Sequence, residues 1–510
     1  MFYLKPLRFL GQLLIVTALS AGMNACGDHR ALPDPATLPD ANFFALNDNN
    51  QLLRLNVRTL SAGPTATVTI TGLQVSEQLL AIDFRPATGQ LYGIGSTSRL
   101  YVINPTTGAA RAIGATPFSP ALNGSTVALD FNPTVDRLRL VTNMGQNLRL
   151  NPETGGVAAT DGAINGAAGA MISGAAYTNN KAGVTSTILY DIDPATDRLY
   201  RQDPPNNGTL VMVGSLGLDI TAAGGFDIAP DGSAIAAVTV SGKSELNQVD
   251  LATGRLQKLG DLPGNIVGLA IPTEPVAFAV DGSNNLLIFN PLNPTPISKA
   301  LTGLQSGETI LGIDFRPVNG QLYALGSSNR LYTINTSNGA AAMVGTGFAA
   351  MLSGTNYGFD FNPTVDRIRV VGDNGQNLRL HPETGALAAT DGNLNPLTPF
   401  VTAAAYTNNF AGATTTILYD IDTRAGQSAG LFRQDPPNAG TLVLIGSLGI
   451  EVESTSGFDI GGSSGTAYAL LRSGGLTRVH TINLATGAAT AGSILPAAVT
   501  VRGFAVGLGF

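Results

Sequence analysis

The sequence predicts an all-β protein built from ten repeats of a four-stranded unit. Three observations support this prediction: one half of the chain repeats the other, a short motif recurs ten times, and each repeat contains four strand-like segments separated by turns. Only 12% of the residues are charged, and the chain contains 62 Gly and 29 Pro. This composition is unlike that of helical bundles or coiled coils.

The duplication is visible in long matching motifs. Residues 81–86 (AIDFRP) return as residues 312–317 (GIDFRP), a displacement of 231 (312 − 81), and residues 130–137 (DFNPTVDR) return unchanged as residues 360–367. Further matches follow in the same order along both halves. Chance does not produce such a series, so the chain contains a tandem duplication.

A shorter motif, in which Asp or Ala lies between apolar residues, recurs at intervals of 43 to 54 residues. This spacing agrees with the period of roughly 40–50 residues found for four-stranded propeller blades. The central residues are Asp83, Asp130, Ala176, Asp227, Ala270, Asp314, Asp360, Ala405, Asp459 and Ala505.

The strand-like segments of one repeat are Leu79–Phe84, Gln90–Ile94, Leu100–Ile103 and Ala109–Ile113. Gly, Asn and Pro in the intervening segments are typical of tight turns, so each repeat is expected to form a meander. Packing such sheets around an axis buries both of their faces, which predicts a β-propeller. Small residues that begin the motif suit the crowded innermost strands; they are Ala81, Gly225, Gly312 and Gly457.

Ten blades can close in two ways. The first repeat lacks an innermost strand, whereas an isolated innermost strand ends the chain at Phe504–Val506. We predict two five-bladed propellers, formed by residues 42–271 and 276–510, with Pro272–Pro275 as a short stiff linker. The alternative is one ten-bladed ring, in which the two chain ends complete one blade.

These motifs resemble those of a bacterial family of secreted proteins, domain of unknown function 4394, in two tandem copies. The resemblance rests on the IDFRP strand, DFNPTVDR, QNLRL-x-PETG, AYTNN and QDPPN, and it extends over nearly all of residues 41–510. It implies secretion and the propeller fold, and it implies no catalytic residue.

The N-terminus predicts export. A short basic region precedes an apolar run that ends at Cys26, the single Cys of the chain. We interpret residues 1–25 as a signal peptide and Cys26 as a lipidated residue. Residues 26–41 then form a tether, and Gly27 in place of Asp favours the outer membrane or cell surface. The alternative is an ordinary secreted protein with an incidental Cys.

Composition also limits the chemistry. The net charge of −7 disfavours nucleic acid as a partner. With three His and one Cys, we expect no cofactor, no transition metal and no catalytic triad. Asp191, Asp193 and Asp197 suggest calcium, but the second copy lacks a counterpart of Asp197, so we expect no essential calcium.

The six motif aspartates admit two interpretations. They could line an axial site for a cation or a sugar, or each could accept backbone N–H bonds from an adjacent turn and fix its blade. Because the same group recurs in most blades, we favour the structural role. These aspartates are Asp83, Asp130, Asp227, Asp314, Asp360 and Asp459.

The longest irregular loops follow the AYTNN motif in each copy. Loops on a rigid scaffold often carry function, so we predict a ligand-binding site there. The candidate residues are Tyr177, Asn179, Asn180, Tyr406, Asn408 and Asn409. The alternative is a loop that packs under its blade through the Tyr.

The sequence therefore favours a lipid-anchored, extracytoplasmic propeller scaffold that binds a protein, a glycan or part of the envelope without catalysis. A polysaccharide lyase or hydrolase is the alternative enzyme, and a structural spacer of the cell envelope is the third interpretation. Propellers do host such enzymes, so the fold alone does not choose between these interpretations.

Overall fold

The computed structural model describes residues 32, 34, 38 and 40–510, apart from 397, 425–427, 454–455 and 497–499. These residues form ten four-stranded antiparallel sheets, as the sequence predicts. The predicted signal peptide, Cys26 and most of the predicted tether lie outside the described residues. Helical structure in the described part consists of short 3₁₀ segments at Val57–Ala62, Pro205–Asn207 and Pro437–Ala439, and no helix there could cross a membrane.

The first five sheets form one set of blades, each given from its innermost to its outermost strand. They are blade 1, β20 (Ile266–Ala270), β1 (Asn42–Asn47), β2 (Gln51–Asn56) and β3 (Ala66–Thr69); blade 2, β4 (Leu79–Phe84), β5 (Leu91–Gly95), β6 (Arg99–Ile103) and β7 (Ala110–Ile113); blade 3, β8 (Val127–Asn132), β9 (Arg137–Thr142), β10 (Asn147–Leu150) and β11 (Val157–Thr160); blade 4, β12 (Gly174–Tyr177), β13 (Leu189–Asp193), β14 (Arg198–Gln202) and β15 (Leu210–Ser215); and blade 5, β16 (Ala222–Ile228), β17 (Ala234–Val240), β18 (Lys243–Val249) and β19 (Leu256–Asp261).

The other five sheets repeat this arrangement. They are blade 6, β40 (Val501–Val506), β21 (Ala277–Asp281), β22 (Asn285–Asn290) and β23 (Asn293–Ala300); blade 7, β24 (Ile310–Arg316), β25 (Gln321–Gly326), β26 (Arg330–Ile334) and β27 (Ala341–Val344); blade 8, β28 (Tyr357–Asn362), β29 (Arg367–Gly372), β30 (Asn377–Leu380) and β31 (Leu387–Thr390); blade 9, β32 (Val401–Tyr406), β33 (Leu418–Asp422), β34 (Gly430–Gln434) and β35 (Leu442–Ser447); and blade 10, β36 (Ser456–Ile460), β37 (Ala467–Ser473), β38 (Leu476–Ile482) and β39 (Ala489–Ile494).

Strand pairing distinguishes the two ways of closing the blades. Strand β20 pairs with β1, with Ala45 opposite Leu269, and the last strand β40 pairs with β21, with Ala279 opposite Phe504. The innermost strands of blades 1 to 5 contact one another in a cycle, and those of blades 6 to 10 do the same. The protein therefore contains two five-bladed rings, the arrangement favoured from the sequence.

Apolar side chains fill the space between neighbouring blades. Ten clusters of buried hydrophobic residues lie between successive blades, five in each ring. The cluster that contains Phe43, Leu246 and Leu269 joins blade 5 to blade 1. The cluster that contains Leu470 and Phe504 joins blade 10 to blade 6. Each ring is thus closed by packing as well as by strand pairing.

The two rings contact each other on the side where the innermost strands of their blades end. Gly509 donates its backbone N–H to Thr88 O at 2.8 Å, and Arg85 Nη1 donates to Gly320 O at 3.1 Å. The loop residue Ala182 packs against the core between blades 6 and 7.

Close packing at the axis leads to a stability prediction. A Cβ atom at Gly457 would lie 2.3 Å from Phe504 Cβ, whereas one at Gly282 would meet no heavy atom closer than 4.0 Å. We expect Gly457→Ala to lower the free energy of unfolding by about 1–3 kcal/mol through overpacking. Denaturant unfolding should show little change for the control variant Gly282→Ala. Equal stabilities of the two variants would contradict this account of the axis.

Candidate functional site

Three buried aspartates meet at the axis of each ring. Asp83, Asp130 and Asp227 come from the innermost strands of blades 2, 3 and 5, and their side chains are at most 1% exposed. One oxygen atom from each carboxylate lies within 4.8 Å of the others. We call these three residues the first axial triad. Strands on different blades therefore bring together groups that lie far apart in the sequence.

Backbone N–H groups hold the first triad in place. Asp83 Oδ2 accepts from Phe131 N at 2.7 Å, and Asp227 Oδ2 accepts from Ile271 N at 2.6 Å. Phe131 lies on the innermost strand of blade 3, next to the blade of Asp83. Ile271 directly follows the innermost strand of blade 1, next to the blade of Asp227. The bonds therefore connect neighbouring blades, which corrects the expectation that the donors lie in adjacent turns.

The remaining carboxylate of the first triad is less completely bonded. Asp130 Oδ1 accepts from Tyr177 N at 3.1 Å, and Asp130 Oδ2 is buried with no hydrogen-bond partner among the described residues. Asn180 is fully buried beside the triad, with its Nδ2 3.4 Å from Asp227 Oδ1. Its Oδ1 is also without a partner among the described residues.

The second ring repeats the triad with Asp314, Asp360 and Asp459. Asp314 Oδ2 accepts from Phe361 N at 2.7 Å, Asp360 Oδ1 from Tyr406 N at 3.0 Å, and Asp459 Oδ2 from Val506 N at 2.7 Å. We call these residues the second axial triad. Because both copies keep the arrangement, it belongs to the duplicated unit.

Burial makes ionisation of the triads unfavourable. Loss of hydration raises the pKa of Asp227 and Asp459 to about 7, although backbone N–H bonds oppose the shift. Burial and the nearby carboxylate of Asp227 raise the pKa of Asp83 well above its usual value. Burial and the charges of Asp83 and Asp227 do the same for Asp130.

A group of three charged side chains joins blade 2 to blade 3 where the first ring contacts the second. The fully buried Arg85 donates from Nε and Nη2 to Asp136 at 2.8 and 2.5 Å, and from Nη2 to Glu153 at 2.8 Å. Thr336 of the second ring lies 3.4 Å from Asp136 Oδ2. This group of charges is satisfied internally and serves the contact between blades and rings.

The loops predicted to bind a ligand have structural contacts. Tyr177 is buried, and its hydroxyl oxygen accepts from Arg139 Nε at 3.2 Å; Tyr406 has the same bond from Arg369 at 3.3 Å. Asn180 and Asn409 are also buried. These four side chains are buried. Their placement fits the alternative interpretation, in which the loop packs under its blade through the Tyr.

The two remaining loop residues, Asn179 and Asn408, are exposed. Each has a positive φ, 56° and 57°, and its side-chain amide donates to a carbonyl across its own loop. One loop contacts the other ring, where Gly183 lies against Ile288 and Ile297. Ligand binding by these loops stays a prediction.

A pocket of about 480 Å³, lined by polar side chains and by Leu311, Leu352 and Val501, opens where the innermost strands of the second ring begin. The inter-ring contacts lie at the opposite ends of these strands, so the pocket faces away from the first ring. Its polar lining comes from hydroxyl groups, one amide and one guanidinium; these residues are Thr309, Ser327, Thr355, Asn356, Tyr357, Thr402, Thr500 and Arg502. We call this the mouth pocket.

The motifs of the sequence do not reveal the mouth pocket. Two differences between the copies indicate a polar site in the second ring: Arg502 corresponds to Val267, and Tyr357 corresponds to Val127. At these positions the second ring has polar side chains where the first has apolar ones. Two isolated differences within a weakly matching stretch carry little information until the fold brings them together.

A family comparison identifies both copies. The family model described as Domain of unknown function (DUF4394) matches residues 42–270 and 285–505. The chain belongs to this family. The match confirms the resemblance inferred from the motifs and the presence of two tandem copies. No curated protein sequence matches the chain.

Three solved structures have low similarity to the chain, each at 13% identity. A protein from Lactobacillus plantarum has a TM-score of 0.28, with 65% of this chain and 98% of that one covered. The extracellular domain of a protein described as a hybrid two component system of B. thetaiotaomicron has a TM-score of 0.24, with 88% and 58% covered. PorZ, a surface component of the type-IX secretion system of Porphyromonas gingivalis, has a TM-score of 0.26, with 91% and 59% covered. This chain therefore spans less than two thirds of the latter two proteins.

A second pair of buried carboxyl groups predicts a pH-dependent stability. Both oxygens of Asp191 are buried without a hydrogen-bond partner among the described residues, and the same holds for Asp420. Loss of hydration raises the pKa of each to about 8, and the nearby guanidinium of Arg139 or Arg369 opposes this. Stability from a raised carboxyl pKa is complete below the unfolded-state pKa and is lost as the pH rises through the folded-state pKa.

We therefore expect the free energy of unfolding to fall between pH 4 and pH 8, and we expect a smaller fall in the Asp191→Asn variant. Each such carboxyl contributes a slope of about 1.4 kcal/mol per pH unit in that range. Denaturant unfolding at several pH values measures the slope, with the exposed Asp231→Asn as control. The prediction is wrong if Asp191→Asn leaves the slope unchanged.

Proposed function

We propose that the protein is an extracytoplasmic, lipid-anchored scaffold that binds an acidic glycan at the mouth pocket without catalysing its cleavage. The observation that carries the proposal is the chemistry of the pocket lining. Hydroxyl and amide groups suit the hydroxyls of a sugar, and the guanidinium of Arg502 suits a carboxylate or sulfate. The pocket volume, about 480 Å³, fits a short stretch of a glycan chain.

The lining supports binding in preference to cleavage. Among the described residues that line the pocket there is no carboxylate, His or Cys. Hydrolysis of a glycosidic bond commonly requires a pair of carboxyl groups, which this lining does not provide. Tyr357 is poorly suited to act as a base, because burial raises its pKa and so disfavours the phenolate, and its hydroxyl oxygen already accepts from Gly354 N at 2.6 Å. These features favour the binding hypothesis over the lyase or hydrolase alternative.

The proposed location rests on the sequence. The apolar N-terminal segment and Cys26 at its end support export and lipidation, and the family resemblance supports secretion. An anchored tether would hold the rings away from the membrane surface, with the mouth pocket accessible to envelope or extracellular glycans.

The ligand is tested with a glycan array that contains neutral and acidic members. We expect binding to acidic glycans, and we expect Arg502→Gln to weaken it about tenfold, the effect of losing one charge-assisted hydrogen bond. The exposed Arg111→Gln makes the same change in net charge on the first ring and should leave binding intact. Equal loss in both variants would indicate a general charge effect and contradict the pocket assignment.

Turnover of the captured glycan distinguishes binding from catalysis. Prolonged incubation followed by chain-length analysis should recover the glycan at its original length. Shortened products would favour the lyase or hydrolase alternative. Array binding to no glycan would remove the proposed ligand class.

The anchor is tested with Cys26→Ala. Without the thiol no lipid can be attached, so we expect the variant to leave the membrane fraction and appear in soluble form. Cell fractionation and immunoblotting measure this. Retention of the variant in the membrane fraction at the level of the parent would contradict lipid anchoring at Cys26.

A further inference from the structure

We propose that each axial triad binds one divalent metal cation, with Ca²⁺ the best match, so that the folded protein holds two. The first site uses Asp83, Asp130 and Asp227, and the second uses Asp314, Asp360 and Asp459. The proposal is independent of the glycan-binding proposal, because the triads are buried on the ring axes and the mouth pocket is not lined by them.

The spacing of the oxygens fits one shared cation. Oxygen ligands lie about 2.3–2.6 Å from Ca²⁺, so two ligands of one ion are at most about 5 Å apart. In each triad three carboxylate oxygens lie within 4.8 Å of one another. Hard divalent cations prefer oxygen ligands of this kind.

Two buried oxygen atoms without hydrogen-bond partners are a second observation, besides the spacing, that indicates a bound cation. Asp130 Oδ2 and Asn180 Oδ1 are buried and have no partner among the described residues, although buried polar atoms normally have one. The side chain of Asn180 reaches the triad, because its Nδ2 donates to Asp227 Oδ1 at 3.4 Å. An amide oxygen is a common additional ligand of Ca²⁺. In the second ring, Asn409 Oδ1 is likewise buried without a partner in the described chain.

Hydrogen bonding and burial act in opposite directions on the charge of the triad carboxylates. Asp83 and Asp227 each accept backbone N–H bonds on both oxygens, which stabilises the charged form. No Arg or Lys among the described residues forms an ion pair with a triad carboxylate. A cation on the axis would supply the missing positive charge.

This proposal departs from the expectation of no essential calcium. That expectation considered the sequence around Asp191, where the ligands of one site would be close in the chain. In the axial triads the ligands come from three blades, 47 (130 − 83) and 97 (227 − 130) residues apart. The sequence raised an axial cation site as one interpretation of these aspartates, and their recurrence in most blades favoured the structural role instead.

The test measures metal content and stability in the purified full chain. Elemental analysis after dialysis should find two equivalents of calcium or another divalent metal per chain. Because the triads are buried, the protein is also unfolded in denaturant with chelator and refolded with or without Ca²⁺. We expect the melting temperature to be higher after refolding with Ca²⁺ at pH 8.

Two variants assign the metal to the triads. Asp130→Asn removes one negative ligand but keeps an oxygen that can accept the Tyr177 N–H bond, and should reduce the content from two equivalents to one. Asp191→Asn removes another fully buried carboxyl outside the triads and should retain two. If Asp130→Asn does not fold, the metal content and refolding of the parent chain still decide.

Two results overturn the proposal. One is a parent chain without a divalent metal whose melting temperature is unaffected by chelator and by refolding with Ca²⁺; the triads would then hold protons. The other is a folded Asp130→Asn variant that keeps two equivalents, which would place the metal elsewhere.

Discussion

The aspartate hydrogen bonds between innermost strands are the interaction on which each ring depends. An innermost strand is the edge of its own sheet, so the N–H groups that face the axis have no partner within that sheet. Buried N–H groups need an acceptor. A carboxylate from the preceding blade supplies it, as Asp83 does for Phe131 and Asp314 for Phe361. The same bond fixes the position of each blade relative to the next.

The use of carboxylates as hydrogen-bond acceptors concentrates negative charge at the axis of each ring. Five blades enclose a narrow axis, and three of the five positions in each ring carry Asp while the other two carry Ala. The carboxylates that satisfy the backbone are therefore forced close to one another, and burial makes their ionisation costly. A shared cation resolves the conflict between hydrogen bonding, which favours charge, and burial, which opposes it. In this view the structural role of the aspartates and a metal site are two aspects of one arrangement.

The two rings use the same scaffold differently at its surface. In the first ring, Arg85 and Asp136 are buried against the second ring. The equivalent pair in the second ring, Arg316 and Asp366, is more accessible, with 10% and 29% of its side chains exposed. The second ring also carries Arg502 and Tyr357 at its mouth. Duplication thus preserved the inter-blade contacts, while residues at the two faces of the rings diverged.

The sequence by itself determined the tandem repeat and the four-stranded blade. Strand length, turn residues and spacing are local or periodic properties. The extra innermost strand at the chain end was compatible with one ring or two, and the pairing of β20 with β1 and of β40 with β21 decided for two. Tertiary structure alone decided which side chains meet. Asp83, Asp130 and Asp227 form one group only because their strands converge on the axis. The loops around Asn179 and Asn408 resembled binding loops, yet Tyr177 and Tyr406 are buried because they complete contacts with Arg139 and Arg369 of the neighbouring blade. Contacts of this kind depend on residues far apart in the chain, which neither periodicity nor local composition records.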